Sequence, residues 1–278
     1  MGEWLNANQP NFVLSIVLSV SVALVVIAFC LLASQLLRVS PFLQLYLFGK
    51  KASGKLPLIF LVAFLSFGTL ASAKKKEKRH IVRIETSVGN IRVALSDDTP
   101  LHRDNFLKLA REGFYNGTLF HRCIKDFMIQ GGDPDSKNAE PGQPLGDGDV
   151  GYTIPAEFCL PYLYHWRGAL AAAREPDDVN PEQESSGCQF YIVYGKKQAA
   201  ADMKKVRAML EEKGIELTSQ MIDDYYMRGG TPHLDGAYTV FGEVIEGMEV
   251  VKAIQGVETD KNDRPLKDIV IRRMVVEQ

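Results

Sequence analysis

Two uncharged apolar runs come before any alternation in this chain. Phe12 to Ala33 has about the 20 residues a helix needs to cross a bilayer and reads as a membrane span. Leu56 to Ala73 is shorter, follows Lys50, Lys51 and Lys55, and ends in Ala71-Ser72-Ala73, the layout of a secretory signal peptide. From Ile81 the period changes to two: "IVRIET" and "IRVALS" alternate around Ser87-Val88-Gly89-Asn90, which predicts a hairpin with one buried face. Thr99-Pro100 marks a helix start, with Leu101, Phe106, Leu109 and Ala110 on one side and Gly113 as the stop. Strands are expected at "YTIPAEF", "GALAAA", "QFYIVYG", "YTVFGEV" and "DIVIRRMVV", with a helix at "GMEVVKAIQG". Many strands, many glycines and few helices suggest an antiparallel barrel with helical plugs, and a sandwich remains the alternative.

The pattern divides the chain into a span region over 1–55, a signal-like or second hydrophobic segment over 56–73, a basic linker over 74–80 and a globular domain over 81–278. A signal peptide does not belong this far inside a chain, so two readings stand. Either the two runs form a membrane hairpin, or residues 1–55 are a mis-assigned upstream extension. The second reading requires a non-standard initiation codon, because no methionine lies between Met1 and Met128. Arg38, Lys50, Lys51 and Lys55 would hold the intervening loop in the cytoplasm. Both readings export the domain, as a periplasmic or extracytoplasmic protein that is either membrane-anchored or released by cleavage after Ala73.

Charge and cysteine content narrow the chemistry. A formal net charge of −2 over 278 residues makes nucleic acid a poor partner. Cys30, Cys123, Cys159 and Cys188 show no zinc spacing and read as small apolar residues rather than a disulfide framework.

The segment "YNGTLFHRCIKDFMIQGGDP", Tyr115 to Pro134, is too polar for a core strand and too apolar for a loop, yet it carries a guanidinium. Its spacing of Phe120-His121-Arg122, Phe127-Met128 and Gln130-Gly131-Gly132-Asp133 resembles the signature of the cyclophilin peptidyl-prolyl isomerases. "LGDGDVGYTIPAEF", "GALAAA", "SSGCQFYIVYG" and "HLDGAYTVFGEVIEGMEVV" follow in that family's order, so the resemblance covers nearly all of 81–276. It implies a mostly β fold, an eight-stranded antiparallel barrel capped by two helices, and isomerisation of X-Pro bonds without cofactor or metal; with the export expected from the apolar runs, the clients are exported or envelope proteins. By the same resemblance Arg122, Phe127 and Gln130 are the catalytic residues, with Gln130 orienting Arg122. Met128, Tyr191 and Leu234 join Phe127 in an apolar socket for the proline ring, Ala173 and Arg174 form an edge that pairs with the peptide, and Gln189 belongs to the same wall.

Three departures modify that expectation. His233 stands where many members have tryptophan and Tyr238 where a histidine is usual. Both flank the socket, so cyclosporin is expected to bind weakly. Arg174 replaces a frequent asparagine. Two insertions are particular to this chain: Arg174 to Gly187, whose five acidic residues read as a solvated flexible loop or, if the loop overhangs the groove, as a field favouring Lys or Arg beside proline, and 196–232, with two amphipathic helix patterns that either pack on the barrel or face a partner. The partners expected are proline-containing polypeptides, and the membrane through the N-terminal runs if these are uncleaved. The competing functions are a non-catalytic proline-peptide or chaperone module and a hydrolase built on His121, which lacks a recognisable nucleophile context. Asn116-Gly117-Thr118 reads as a turn rather than a glycosylation acceptor, and "GDGDVG" as a groove-side loop rather than a phosphate loop.

Overall fold

The computed structural model describes residues 80–277. The two apolar runs, Cys30 and the start of the basic linker lie outside the described residues, and so do the expectations placed on them. Among the described residues, no helix is long and apolar enough to cross a membrane.

The first alternation forms the expected hairpin. β1 (His80–Thr86) pairs antiparallel with β2 (Asn90–Leu95), bringing Val82 opposite Val93 and Ile84 opposite Ile91 on one fully buried face. Thr86 Oγ1 closes the turn, donating to the Gly89 carbonyl at 2.7 Å and accepting the Val88 and Gly89 amides at 3.0 Å.

α1 (Pro100–Arg111) begins at the expected proline, whose missing N–H costs nothing in the first turn. Its face differs from the one expected: Leu101 is 51% exposed, and His102, Phe106, Leu107, Leu109 and Ala110 are buried. Positions 102, 106 and 109 follow the helical period and 101 falls one residue off it. The N-terminal amides find their acceptor in the Glu157 carboxylate, which takes Leu101 N at 3.1 Å and His102 N at 3.0 Å.

β3 (Phe120–Ile124), β4 (Met128–Gly131), β6 (Ala169–Ala172), β8 (Phe190–Val193), β9 (Val240–Glu246) and β10 (Ile271–Val276) complete an eight-stranded antiparallel sheet in the order β10-β1-β2-β9-β6-β8-β4-β3. The sheet curls until its ends meet. Phe120 N donates to the Ile269 carbonyl at 2.9 Å and Ile271 N to the Thr118 carbonyl at 2.8 Å. Inside the curl Phe106, Tyr115, Phe190 and Phe241 interlock at centroid distances of 5.2 to 5.6 Å. Of "YTIPAEF" only β5 (Thr153–Ile154) is strand, paired with β7 (Ser185–Ser186) in a separate two-stranded sheet. Pro155, without an N–H, ends the ladder there.

The 196–232 insertion contains the two expected helices, α2 (Ala200–Glu212) and α3 (Ser219–Met227). Thr218 caps α3 by accepting Met221 N at 3.2 Å. Met203, Leu210, Met221 and Tyr225 form their own core with Tyr164 and Leu217, flanked by Val206, Met209 and Ile222. α4 (Met248–Gln255) buries Val251 and Ile254 against the curled sheet. Cys123 and Cys188 are buried thiols, pushed up to about 12 and about 11 by desolvation, and Cys159 is partly buried; all three are free.

Candidate active site

Arg122 projects from β3 directly opposite Gln130 of β4. Its side chain is 44% exposed, and its Nε lies 3.4 Å from Oδ2 of Asp263, which is itself 41% exposed. Such a pair is weak in water, worth roughly 0.2–1 kcal/mol, so it orients the guanidinium without neutralising it. The two terminal nitrogens have no protein partner among the described residues. Asp263 is fixed in turn: it has φ 62°, and its carbonyl accepts Cys123 N from β3 at 2.9 Å.

Beside this guanidinium lies a pocket of about 170 Å³ lined by Arg122, Phe127, Met128, Gln130, Ala173, Arg174, Tyr191, Leu234 and Tyr238. These nine residues, spread over more than a hundred positions of sequence, are all among those expected at the site. Strand pairing brings them together: Met128 faces Val193 and Gln130 faces Tyr191 across β4 and β8, while Tyr191 faces Ala171 across β8 and β6. His233 closes the rim by stacking on Phe127, centroids 5.7 Å apart and planes 19° off parallel. Gln189 lies outside the pocket.

Gln130 donates from Nε2 to Gln189 Oε1 at 3.0 Å, and Gln189 Nε2 donates to the carbonyls of Gly146 at 2.7 Å and Gly148 at 2.9 Å. The partner that orients Arg122 is thus Asp263, and Gln130 instead ties the pocket to the glycine-rich loop. That loop is held by Asp133, which accepts Gly146 N at 2.5 Å and Asp135 N at 2.7 Å. Gly148 packs so close to Asp133 that any Cβ there would collide with its carboxylate.

A second cavity of about 670 Å³ adjoins the first and shares Gln130, Ala173 and Arg174 with it. Asp147, Asp149, Glu175 and Glu184 line it. Arg174 is the one cation in that lining, and its guanidinium is taken. It donates to the Ala237 carbonyl at 2.6 Å and the Glu175 carbonyl at 2.8 Å, pairs with Asp177 at 2.6 Å and lies 4.6 Å over the Tyr238 ring. Ala173 likewise donates its N–H to the Gln189 carbonyl at 3.0 Å and accepts Ser186 N at 2.8 Å. On this edge the Arg174 backbone N–H and C=O have no backbone partner among the described residues. The acidic insertion is a built wall of the cavity, since Asn180 accepts Glu184 N at 3.1 Å and donates to the Glu184 carbonyl at 2.8 Å.

His121 does not form a nucleophile's base. It is 3% exposed, neither ring nitrogen has a well-formed hydrogen bond among the described residues, and burial lowers it to about 4 against the opposing pull of Asp133 and of the Leu119 backbone. A serine, histidine and carboxylate do align elsewhere: His102 Nε2 lies 2.9 Å from Ser185 Oγ and Nδ1 lies 2.7 Å from Glu157 Oε2. With Ser185 at 1% and His102 at 2% exposure, no substrate reaches that hydroxyl. The group fastens α1 to β7, and desolvation lowers the His102 imidazole.

Sequence reasoning missed Asp263, which sits in no motif, and the buried pair His165 and Asp235 behind Tyr191. Asp235 carried a signal in its place within Leu234-Asp235-Gly236.

The family model that matches this chain, over residues 81–276, is described as cyclophilin type peptidyl-prolyl cis-trans isomerase/CLD. A peptidyl-prolyl cis-trans isomerase of Arabidopsis thaliana is 32% identical over 196 residues, covering 70% of this chain and 94% of its own length. A Streptococcus pyogenes protein described as a bifunctional phosphatase/peptidyl-prolyl cis-trans isomerase is 37% identical over 199 residues, and the match spans only 38% of that protein. For a Rhizopus delemar protein called peptidyl-prolyl cis-trans isomerase-like 2, 35% identical, it spans 30%. Among solved structures, a cyclophilin type peptidyl-prolyl cis-trans isomerase of Cryptosporidium parvum superposes with a TM-score of 0.51 at 26% identity, covering 72% of this chain and 98% of that one.

Proposed function

The chain belongs to the cyclophilin-type peptidyl-prolyl cis-trans isomerase family, residues 81–276 forming an isomerase domain of that type, and on this premise we propose that Arg122 carries the chemistry on exported, proline-containing polypeptides. Rotation about an X-Pro bond crosses a barrier of about 18–20 kcal/mol because amide resonance is lost in the twisted state. As the bond twists, the proline nitrogen pyramidalises and its lone pair becomes a hydrogen-bond acceptor. A permanently protonated donor held at that point stabilises the twisted state more than either planar one. Phe127, Met128, Leu234 and the Tyr191 ring would seat the proline ring, and Gln130 with the Arg174 backbone would hold the flanking peptide.

The observation that carries this reading is the half-exposed Arg122, its terminal nitrogens without a partner among the described residues, at the mouth of a 170 Å³ socket that Phe127, Met128, Tyr191 and Leu234 help to line. Its support in the fold is a sheet whose ends are hydrogen-bonded together, which we read as a closed barrel with helices over its openings. Arg122→Ala in the full-length chain, purified in detergent, is expected to lower kcat/KM on a proline tetrapeptide at least about 100-fold, or about 2.7 kcal/mol. Circular dichroism should stay unchanged, because an exposed side chain contributes little to stability. Activity within a few-fold of wild type would remove Arg122 from the mechanism; peptide binding without acceleration in the wild type would make the domain a proline-peptide module.

We further propose export and either anchoring or cleavage after Ala73, supported by the two apolar runs and the small-residue triplet. Mass spectrometry of the native N-terminus decides between them: a start at Lys74 means cleavage, and a retained Phe12 to Ala33 means anchoring.

A further inference from the structure

The inserted helical pair reaches the socket through a continuous buried chain of hydrogen bonds. Tyr225 of α3, fully buried, donates from its hydroxyl to Asp235 Oδ2 at 2.5 Å. Asp235, also fully buried, accepts the His165 backbone N–H on Oδ1 at 2.9 Å and holds His165 Nδ1 at 2.9 Å with the same oxygen. His165 Nε2 lies 2.9 Å from the hydroxyl of Tyr191, whose ring lines the socket and stacks on the imidazole at 13°.

The carboxylate anchors the chain. Asp235 accepts at both oxygens, so His165 Nδ1 donates to it, and the bond between Nε2 and the Tyr191 hydroxyl completes the chain. Every member has a hydrogen-bond partner within the chain. Asp235 also directly follows Leu234 of the socket and His233 of its rim, and Gly236 beyond it lies against Ile215 of the insertion so closely that a Cβ there would collide.

We propose that Tyr225, Asp235 and His165 are positioning residues for the isomerase site: the 196–232 insertion sets the placement of Tyr191 and Leu234, and with it the fit of the proline ring. The proposal rests on the reading of that pocket as the proline socket. The ring occupies the socket in planar and twisted states alike, so loosening it weakens both equally and appears in KM rather than kcat.

The molecule supplies its own control. Tyr164 donates to Asp224 Oδ2 at 2.6 Å, the same bond type on the same helix pair; its ring packs edge-on against Tyr225 at 5.8 Å and is kept in Tyr164→Phe, while its hydroxyl makes no bond to the relay among the described residues. Kinetics are measured on the full-length wild type, Tyr225→Phe, Asp235→Asn and Tyr164→Phe with a proline tetrapeptide, well below each thermal midpoint. Tyr225→Phe and Asp235→Asn are expected to raise KM about 5-fold, the effect of one lost buried hydrogen bond, with kcat within about 2-fold. Tyr164→Phe is expected to lower the midpoint without moving KM. If Tyr225→Phe does not fold, Asp235→Asn carries the same expectation. An unchanged KM in both relay variants, or an equal rise in Tyr164→Phe, would overturn the inference. A wild-type chain with no isomerase activity would instead overturn the isomerase reading on which it rests.

Discussion

The cavity beside the socket should make this enzyme prefer cationic residues near proline. A peptide whose proline occupies the 170 Å³ pocket places a neighbouring side chain at the adjoining 670 Å³ cavity, because Gln130, Ala173 and Arg174 border both. Four carboxylates line that cavity, Asp147 and Asp149 from the glycine-rich loop and Glu175 and Glu184 from the acidic insertion, and the Arg174 charge among them is already paired with Asp177. An ammonium or guanidinium entering there has room to approach one or two carboxylates. Exposed pairs contribute about 0.2–1 kcal/mol each, so the gain is about 0.2–2 kcal/mol, up to about 30-fold in kcat/KM. The gain should shrink as the screening length falls from about 10 Å at 0.1 M salt to about 3 Å at 1 M. The assay compares kcat/KM for peptides of equal length with Lys or Glu near proline, at both salt levels. It uses wild type and the quadruple variant Asp147→Asn, Asp149→Asn, Glu175→Gln, Glu184→Gln. A second variant amidating only Asp178 and Glu182, which lie outside the cavity lining, should behave as wild type. A preference that is missing at low salt, or that survives 1 M salt or the quadruple amidation, refutes the reasoning.

Two further outcomes follow from single residues. His121, lowered from 6.5 to about 4, stays neutral in the fold while the unfolded chain takes up a proton. Its contribution is therefore complete above about pH 6.5 and declines toward pH 4 by about 3 kcal/mol. Urea midpoints for wild type and His121→Gln at about pH 7.5 and pH 4.5 check this, and parallel losses in both proteins would count against it. At the socket rim, His233→Trp should tighten cyclosporin by adding apolar area and an indole donor beside Phe127, where titration calorimetry giving equal affinities would assign the rim to other residues.

Local chemistry along the chain determined much of this protein. Period-two alternation placed the β1–β2 hairpin, the Thr99-Pro100 step placed the start of α1, and the 3.6-residue period placed both inserted helices with their buried faces, because each signal depends on neighbours within one or two turns of chain. The socket was legible only through a motif: nothing in the spacing of Arg122 and Tyr191 says they meet until β4 pairs with β8 and β3. Tertiary structure alone decided which carboxylates face the cavity, since Glu175, Asp177 and Asp178, within four positions of one another, end respectively in its lining, on Arg174 and outside both cavities. It also decided that Leu101 yields the buried face to His102, whose ring finds Glu157 and Ser185 from 55 and 83 residues away. The same holds for Tyr225, Asp235, His165 and Tyr191. A buried polar side chain is tolerable only where distant partners satisfy it, and those partners are supplied by the packing rather than by the sequence around it.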